Sequence, residues 1–304
     1  MFKPRDVKTV GEARRIVEER GLSHVKVGLF DNDGVMRGKY MSRSKFFSAL
    51  EHGFAFCDVV LGWDVKDQLY DNAQYTGWHS GYPDAPVRIL PHTCREIPFE
   101  NGMLLFLAEF DQQAEAVCPR GTLRRVIQRC QDMGFEPYAA LEYEFFMFDE
   151  TPDSARAKGF RDLKPFTPDW FGYSMIRNSV HAELYHQILE MGEAMDFPIE
   201  GLHTETGPGV YEAALQFSDA LECADRGVLF KTGAKEIGAS YGILPSFMAK
   251  WNKDLPGCSG HVHQSLSDGR PHLAQARPLD RNSLSAAGGA HGAAPRALNV
   301  RINP

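Results

Sequence analysis

Carboxylates and imidazoles recur in this chain at spacings suited to cation chemistry. In "LEYEFFMF" (141–148), Glu142 and Glu144 stand two apart in an otherwise apolar run. Strand side chains alternate faces, so the two acids share one face and Tyr143 takes the other. Like charges that close repel unless a cation or a proton lies between them. Taken alone, the pair also suits an exposed polar face, or an edge strand with ordinary ion pairs. It has company. "EGLHTETGPGVYE" (200–212) offers Glu200, Glu205 and Glu212 around Gly207-Pro208-Gly209, a turn sharp enough to bring Glu205 and Glu212 back toward one point. "GCSGHVHQS" (257–265) gives His261 and His263, again two apart on a glycine-bracketed strand. An oxygen-rich set with a nitrogen ligand suits Mg²⁺ or Mn²⁺ better than zinc, which favours thiolate and imidazole. Two such ions beside a triphosphate would neutralise and align it for phosphoryl transfer.

The elements that must position these groups follow from pattern. Residues 10–21 read as a helix closed by Gly21, and 24–42 as two strands around the turn Asp31-Asn32-Asp33-Gly34. A helix is expected over 44–53, then strand and loop to 118, with a turn at 80–86 and a strand at 103–110. Residues 120–134 read as a helix, with Leu123, Val126, Ile127, Cys130 and Met133 at helical spacing. After the acidic strand, 150–173 reads as a long surface loop and 174–196 as one amphipathic helix. Strands are expected at 197–205 and 209–217, a helix at 219–239, and closing strands at 240–251 and 259–267. The fold class is therefore α+β. A small, mainly β domain (1–115) precedes a second domain (116–267) of alternating strands and helices.

Composition narrows the function. The 304 residues are 43% hydrophobic and 24% charged, with a formal net charge of −7. That argues against a nucleic-acid binder, which would show a basic face. No apolar run approaches the length of a membrane span, and the N-terminus lacks an apolar signal core. A cytoplasmic protein is expected, its scattered cysteines reduced thiols. Residues 268–304 hold no aromatic side chain and no Lys, and are rich in Ala and Arg. Such a segment buries too little apolar surface to offset its ordering entropy, so a disordered tail is expected.

The motifs resemble, in order, those of the glutamine synthetase family. "DNDGVMRGK" (31–39) is similar to the hairpin of that family's N-terminal β-grasp domain. "LEYEFFMFD" resembles its E-x-E-F-F-x-F strand, and "EGLHTETGPGVYE" its E-x-x-x-x-E-x-x-P-G-Q-x-E metal segment. "KWNKDLPGCSGHVHQSL" (250–266) resembles the ATP signature that ends in H-x-H-x-S. The resemblance implies a β-grasp domain followed by a catalytic domain with a curved antiparallel sheet. It also implies ATP-dependent joining of glutamate to ammonia or an amine through γ-glutamyl phosphate. Carried onto this chain, Glu144, Glu205 and Glu212 would hold one Mg²⁺ or Mn²⁺ ion, and Glu142 and His261 the second. Glu200, Lys250, His263 and Ser265 would serve ATP, Gly257 would present backbone to glutamate, and Asp84 would come from a neighbouring subunit's wall of the site. A homo-oligomer is implied, since family sites lie between subunits.

Four departures qualify the resemblance. Val210 replaces the family's usual Gln, and Trp251 its usual Pro after Lys250. "FCDVVLGWD" (56–64) stands in place of the acidic glycine-serine loop tied to ammonium, which points to an amine or polyamine acceptor. Family chains also run well beyond 304 residues, so a C-terminally truncated or frame-shifted ligase with impaired turnover is expected. A catalytically inactive member that binds metal, nucleotide or a partner is the alternative, and a structural α+β protein with polar strands the blander one.

Overall fold

The structure, a computed structural model, describes residues 2–268 and the backbone of 298–302. α1 (Val10–Glu19) begins at Thr9. The Thr9 hydroxyl accepts from the Glu12 N–H, and the Glu12 carboxylate accepts from the Thr9 N–H, a reciprocal cap. β1 (His24–Phe30) and β2 (Met36–Ser42) form the expected hairpin. The Asp31 carboxylate closes its turn, accepting from the N–H groups of Asp33 and Val35 at 3.0 and 2.8 Å and from Arg37 Nε at 2.8 Å. α2 (Arg43–His52) follows, then β3 (Phe54–Cys57), β4 (Asp84–Ile89), β5 (Arg95–Ile97) and β6 (Met103–Phe110). These make a six-stranded sheet of order β2-β1-β6-β4-β3, with β5 also on β6 and β1 parallel to β6.

The second part contains α3 (Pro119–Asp132), β7 (Glu136–Phe148), α4 (Pro152–Ala157), α5 (Met175–Val180), α6 (Ala182–Ala194), β8 (Ile199–Thr204), β9 (Val210–Leu215), β10 (Ser218–Asp219), α7 (Ala220–Ser240), β11 (Leu244–Ser246), β12 (Gly260–Ser267) and β13 (Leu298–Ile302). Its antiparallel sheet runs β13-β12-β7-β9-β8, with β10 and β11 also paired to β7. The long strand β7 is thus the spine of the sheet.

Four expectations change. The helix over 174–196 is two, broken at His181, whose φ of −110° and ψ of 27° leave the helical range. Residues 150–173 include α4, capped by Thr151 and Ser154. The strand at 240–251 shrinks to β11, because Phe247 and Trp251 are drawn into different cores. The apolar positions of α3 are poorly covered, with Val126 51% and Met133 72% exposed; the helix docks instead through its first turn, where Arg120 and Gly121 are buried. The expected disordered tail lies mostly outside the described residues; 298–302 pair with β12. The cysteines are free thiols, as expected. Burial pushes those of Cys94 and Cys223 up to about 12, so neither is a ready nucleophile.

β6 is buried on both faces. Leu104, Phe106, Ala108 and Phe110 join a core with α1 and α2, while Leu105 and Leu107 join a second core with Phe145, Ile188 and Phe230 of β7, α6 and α7. That explains the unbroken apolar run at 103–108. α7 lies close on β7: a Cβ at Gly227 would stand 2.5 Å from Tyr143 Oη.

A buried ion network crosses between the two parts. Arg120 of α3 donates to Glu109 of β6 at 2.8 Å and to Asp225 of α7 at 2.9 Å. Burial pushes the Glu109 carboxyl up, but the Arg120, Arg88 and Arg124 guanidiniums outweigh it and hold it below its ordinary range. Removing one partner of a buried network strands the others uncompensated, at about 3–5 kcal/mol. Arg120→Ala is expected to lower the unfolding free energy by about that amount. Urea denaturation checks this; a loss under ~1 kcal/mol, the range of an exposed pair, would contradict it.

Candidate metal centre

β7 has β12 on one side and β9 on the other. In register, Glu142 stands opposite His261 of β12 and Ala214 of β9, and Glu144 stands opposite Glu212. His203 of β8 stands opposite Glu212 in turn. Pleating therefore puts Glu142, Glu144, Glu212, His203 and His261 on one face of the sheet. The 205–209 turn returns the chain at the required height. Gly209 has a φ of 69°, and a Cβ there would lie 2.5 Å from the Met147 carbonyl oxygen. The Met147 N–H donates to Gly209 at 2.8 Å, and the Glu205 N–H to Val210 at 2.8 Å.

His261 Nδ1 lies 2.8 Å from Glu142 Oε2, and His263 Nε2 lies 3.2 Å from the same oxygen. Glu144 accepts from the Ser259 N–H at 2.9 Å and from its hydroxyl at 2.8 Å. Tyr173 hydrogen-bonds Glu205 and rests its ring 4.5 Å from that of His203. Two groups hold ligand atoms within 4.8 Å of one another: Glu142, Glu212 and His261, and His203, Glu205 and Glu212. Glu212 belongs to both.

The electrostatics point the same way. Burial, and then the Glu142, Glu144 and Glu205 carboxylates, push the Glu212 carboxyl up. Glu142 is also raised by burial, but His263 and His261 outweigh this and hold it low. Four carboxylates with two imidazoles among them suit hard divalent cations, and one carboxylate common to both groups suits a pair of them. The residues present fit Mg²⁺ or Mn²⁺.

The sequence-derived site residues are only partly gathered here. Glu142, Glu205, Glu212 and His261 fall in the two groups. Glu144 lies between them but is held by Ser259 and belongs to neither. His263 lies beside Glu142. Ser265 is exposed further along β12, opposite Tyr138. Glu200 is exposed at a bulge in β8 between Ile199 and Gly201. Lys250 and Gly257 lie in the loop between β11 and β12; a Cβ at Gly257 would stand 2.6 Å from the Ala249 carbonyl oxygen. Asp84 begins β4, exposed, in the other sheet and opposite Cys57.

Several residues escaped the sequence reading. His203 and Ser259 each stand two positions before a chosen ligand, so strand parity alone would have found them. Tyr173 sits in an aperiodic segment that gave no signal. Tyr138 and Phe217 form an edge-on pair with centroids 6.5 Å apart, 36% and 50% exposed, with Tyr138 near the start of β7, four residues before Glu142.

A model of the glutamine synthetase catalytic domain matches residues 116–299. The chain belongs to the glutamine synthetase family. It is 47% identical over 246 residues to type-1 glutamine synthetase 2 of Dictyostelium discoideum, covering 80% of this chain and 47% of that protein. It is 32% identical to glutamate–isopropylamine ligase of a Pseudomonas species, covering 92% of this chain and 62% of that protein. With γ-glutamylputrescine synthetase of Escherichia coli the identity is 28%, over 85% and 56% of the two chains. The chain thus spans about half the length of the curated relatives it matches. The fold agrees with the solved GmaS/ADP complex at a TM-score of 0.69 and 19% identity, over 84% of this chain and 55% of that one. The mixed α+β fold with its curled sheet is that of the glutamine synthetase catalytic domain. Among the described residues, no helix is long and apolar enough to cross a membrane.

The raised Glu212 carboxyl has a signed consequence. The folded site holds this proton more tightly than the unfolded chain, so stability is full below the ordinary carboxyl range, about 4.5. It falls as pH rises through the higher folded value. In metal-free protein the Glu212 contribution to stability is therefore expected to be lost as pH rises from about 4.5 toward neutrality. Glu212→Gln should flatten that slope, as should Mn²⁺. Urea midpoints across this pH range check it; an unchanged slope in Glu212→Gln would contradict the assignment.

Proposed function

We propose that this glutamine synthetase-family chain forms the metal- and nucleotide-binding face of an ATP-dependent ligase, which joins the side-chain carboxylate of glutamate to ammonia or an amine through γ-glutamyl phosphate. The observation that carries this reading is the convergence of Glu142, Glu205, Glu212, His203 and His261 on one face, with Glu212 common to both groups. Glu142, His261 and Glu212 would hold one divalent cation, and His203, Glu205 and Glu212 the other, with Glu144 between. When bound, such ions neutralise phosphate charge and polarise the transferring phosphoryl group.

The chain's own residues would do the rest. Tyr138 and Phe217 offer an aromatic surface for the base of ATP. His263 and Ser265 line the same face toward the phosphates, with Glu200 and Lys250 at its rim. The Gly257 backbone, in a loop too tight for a side chain, would face glutamate. The six-stranded sheet would serve as a β-grasp-like domain over 1–115, presenting Asp84 and the 56–84 loop to the site of a second copy, in a cytoplasmic homo-oligomer. The Pseudomonas relative is named for isopropylamine and the Escherichia coli relative for putrescine, whereas the Dictyostelium relative, of higher identity, is named a glutamine synthetase, so the names support ammonia and amines alike as acceptors.

Phosphate release is the test, with ATP, Mn²⁺ and glutamate beside ammonia, ethylamine, isopropylamine and putrescine. Release dependent on ammonia or an amine is expected, reduced about 100-fold in Glu212→Ala, as loss of a ligand shared by two ions should be more costly than loss of a supporting contact. Saturable Mn²⁺ and ATP binding without release would replace this reading with that of an inactive binding member. Absence of both would reject the site.

A further inference from the structure

Glu144 is the one carboxylate on this face whose two oxygens are both taken by a single residue. The Ser259 N–H donates to one oxygen at 2.9 Å and the Ser259 hydroxyl to the other at 2.8 Å. The same hydroxyl lies 3.2 Å from His261 Nε2, and His261 Nδ1 lies 2.8 Å from Glu142. An unbroken polar chain therefore runs Glu142–His261–Ser259–Glu144. It joins two acids of β7 through two residues of the β12 segment. Among the described residues, Ser259 is the only side chain with hydrogen-bond contacts to both Glu144 and His261. The backbone supports the arrangement, since the Glu144 N–H donates to the Ser259 carbonyl at 3.1 Å. Ser259 and Glu144 are thus locked together at three points.

We propose that Ser259 is a positioning residue that couples the two cation sites, an inference that rests on the two-cation reading above. Its hydroxyl has one proton to give and lone pairs to receive. It turns the Glu144 carboxylate toward β12 while setting a stop for the Nε2 edge of His261. Glu144 stands opposite Glu212, the ligand common to both groups, and His261 belongs to one of them. Without the hydroxyl, Glu144 keeps a single backbone donor and swings under the repulsion of Glu212. His261 loses the contact that fixes its outer edge. Supporting contacts of this kind are worth about 10–100-fold in metal affinity. Because the same hydroxyl holds His261 of one group and the Glu144 that faces Glu212, the ligand common to both, the two affinities fall together.

The experiment titrates Mn²⁺ into the full chain, with free Mn²⁺ read by electron paramagnetic resonance. Thermal unfolding is followed in parallel for the parent, Ser259→Ala, Ser259→Thr and Glu205→Ala. The parent is expected to bind two ions. Ser259→Ala should weaken both about tenfold or more. Ser259→Thr, which keeps the hydroxyl, should restore both, and Glu205→Ala should lose one ion only. If Ser259→Ala fails to fold, Ser259→Cys, with its weak thiol donor, reads the same joint loss. Parent-like binding in the folded alanine or cysteine variant, or loss of one ion alone, overturns the coupling while leaving the two-cation site standing. A parent that binds no Mn²⁺ overturns the site and the coupling together.

Discussion

Like-charge repulsion on one face of a single strand is the constraint to which the second sheet is built. Glu142, Glu144 and Glu212 are cross-strand or same-strand neighbours, close enough to oppose folding unless something holds them. The opposite face of β7 supplies the compensation. Tyr143 and Phe145 pack against Phe230 and Phe247, and Met147 lies in the same core. Each such side chain contributes about 1.5–3 kcal/mol on burial, so three or four outweigh the electrostatic strain of the acids behind them. Toward its end the acidic face itself turns apolar, where Phe146 and Phe148 close a small core with Val210 and Trp251. The acids therefore sit in a polar window between two buried regions.

The first sheet contributes to that fixity. Because β6 serves two cores, the sheet carrying the carboxylates rests on the sheet before it through both apolar contact and the Arg120 network. Arg95 extends the linkage, pairing with Glu222 of α7, which also meets Arg5 and Arg226. Burial pulls the Arg95 guanidinium down to about 10, a measure of how little water reaches this seam. The packing between the residues before and after 115 is continuous.

Much of this was legible in the residue order, and where it was not the reason is local. Strand parity placed Glu142 with Glu144 and His261 with His263, and the Gly-Pro-Gly turn placed Glu205 near Glu212, because both rest on short-range geometry; only the resemblance put Glu142 with His261. The grouping of ligands was harder. Glu144 was assigned to a cation by resemblance; its contact with Ser259, set by the loop between β11 and β12, was not legible in the residue order. The break at His181 carries no Gly or Pro to announce it. The apolar positions of α3 suggested a buried stripe, whereas the helix is anchored by the charged Arg120, a tertiary pairing with Asp225 that no periodicity encodes. Tyr173 became part of the site only because its aperiodic segment folds back onto β8.

The register of β7 also orders events in time. Its partners β9 and β12 are supplied far downstream, with His261 separated from Glu142 by 119 positions. A chain emerging from its N-terminus first completes the sheet built on β1 and β6, then holds an acidic, aromatic strand that 164–166 meet only at its far end, with no strand beside its carboxylates until β9 arrives. Contacts of such long sequence separation form slowly, since loop closure comes before any gain. The cation site is thus among the last features to exist, and Glu142 meets its imidazole only after nearly all of the described chain has been made.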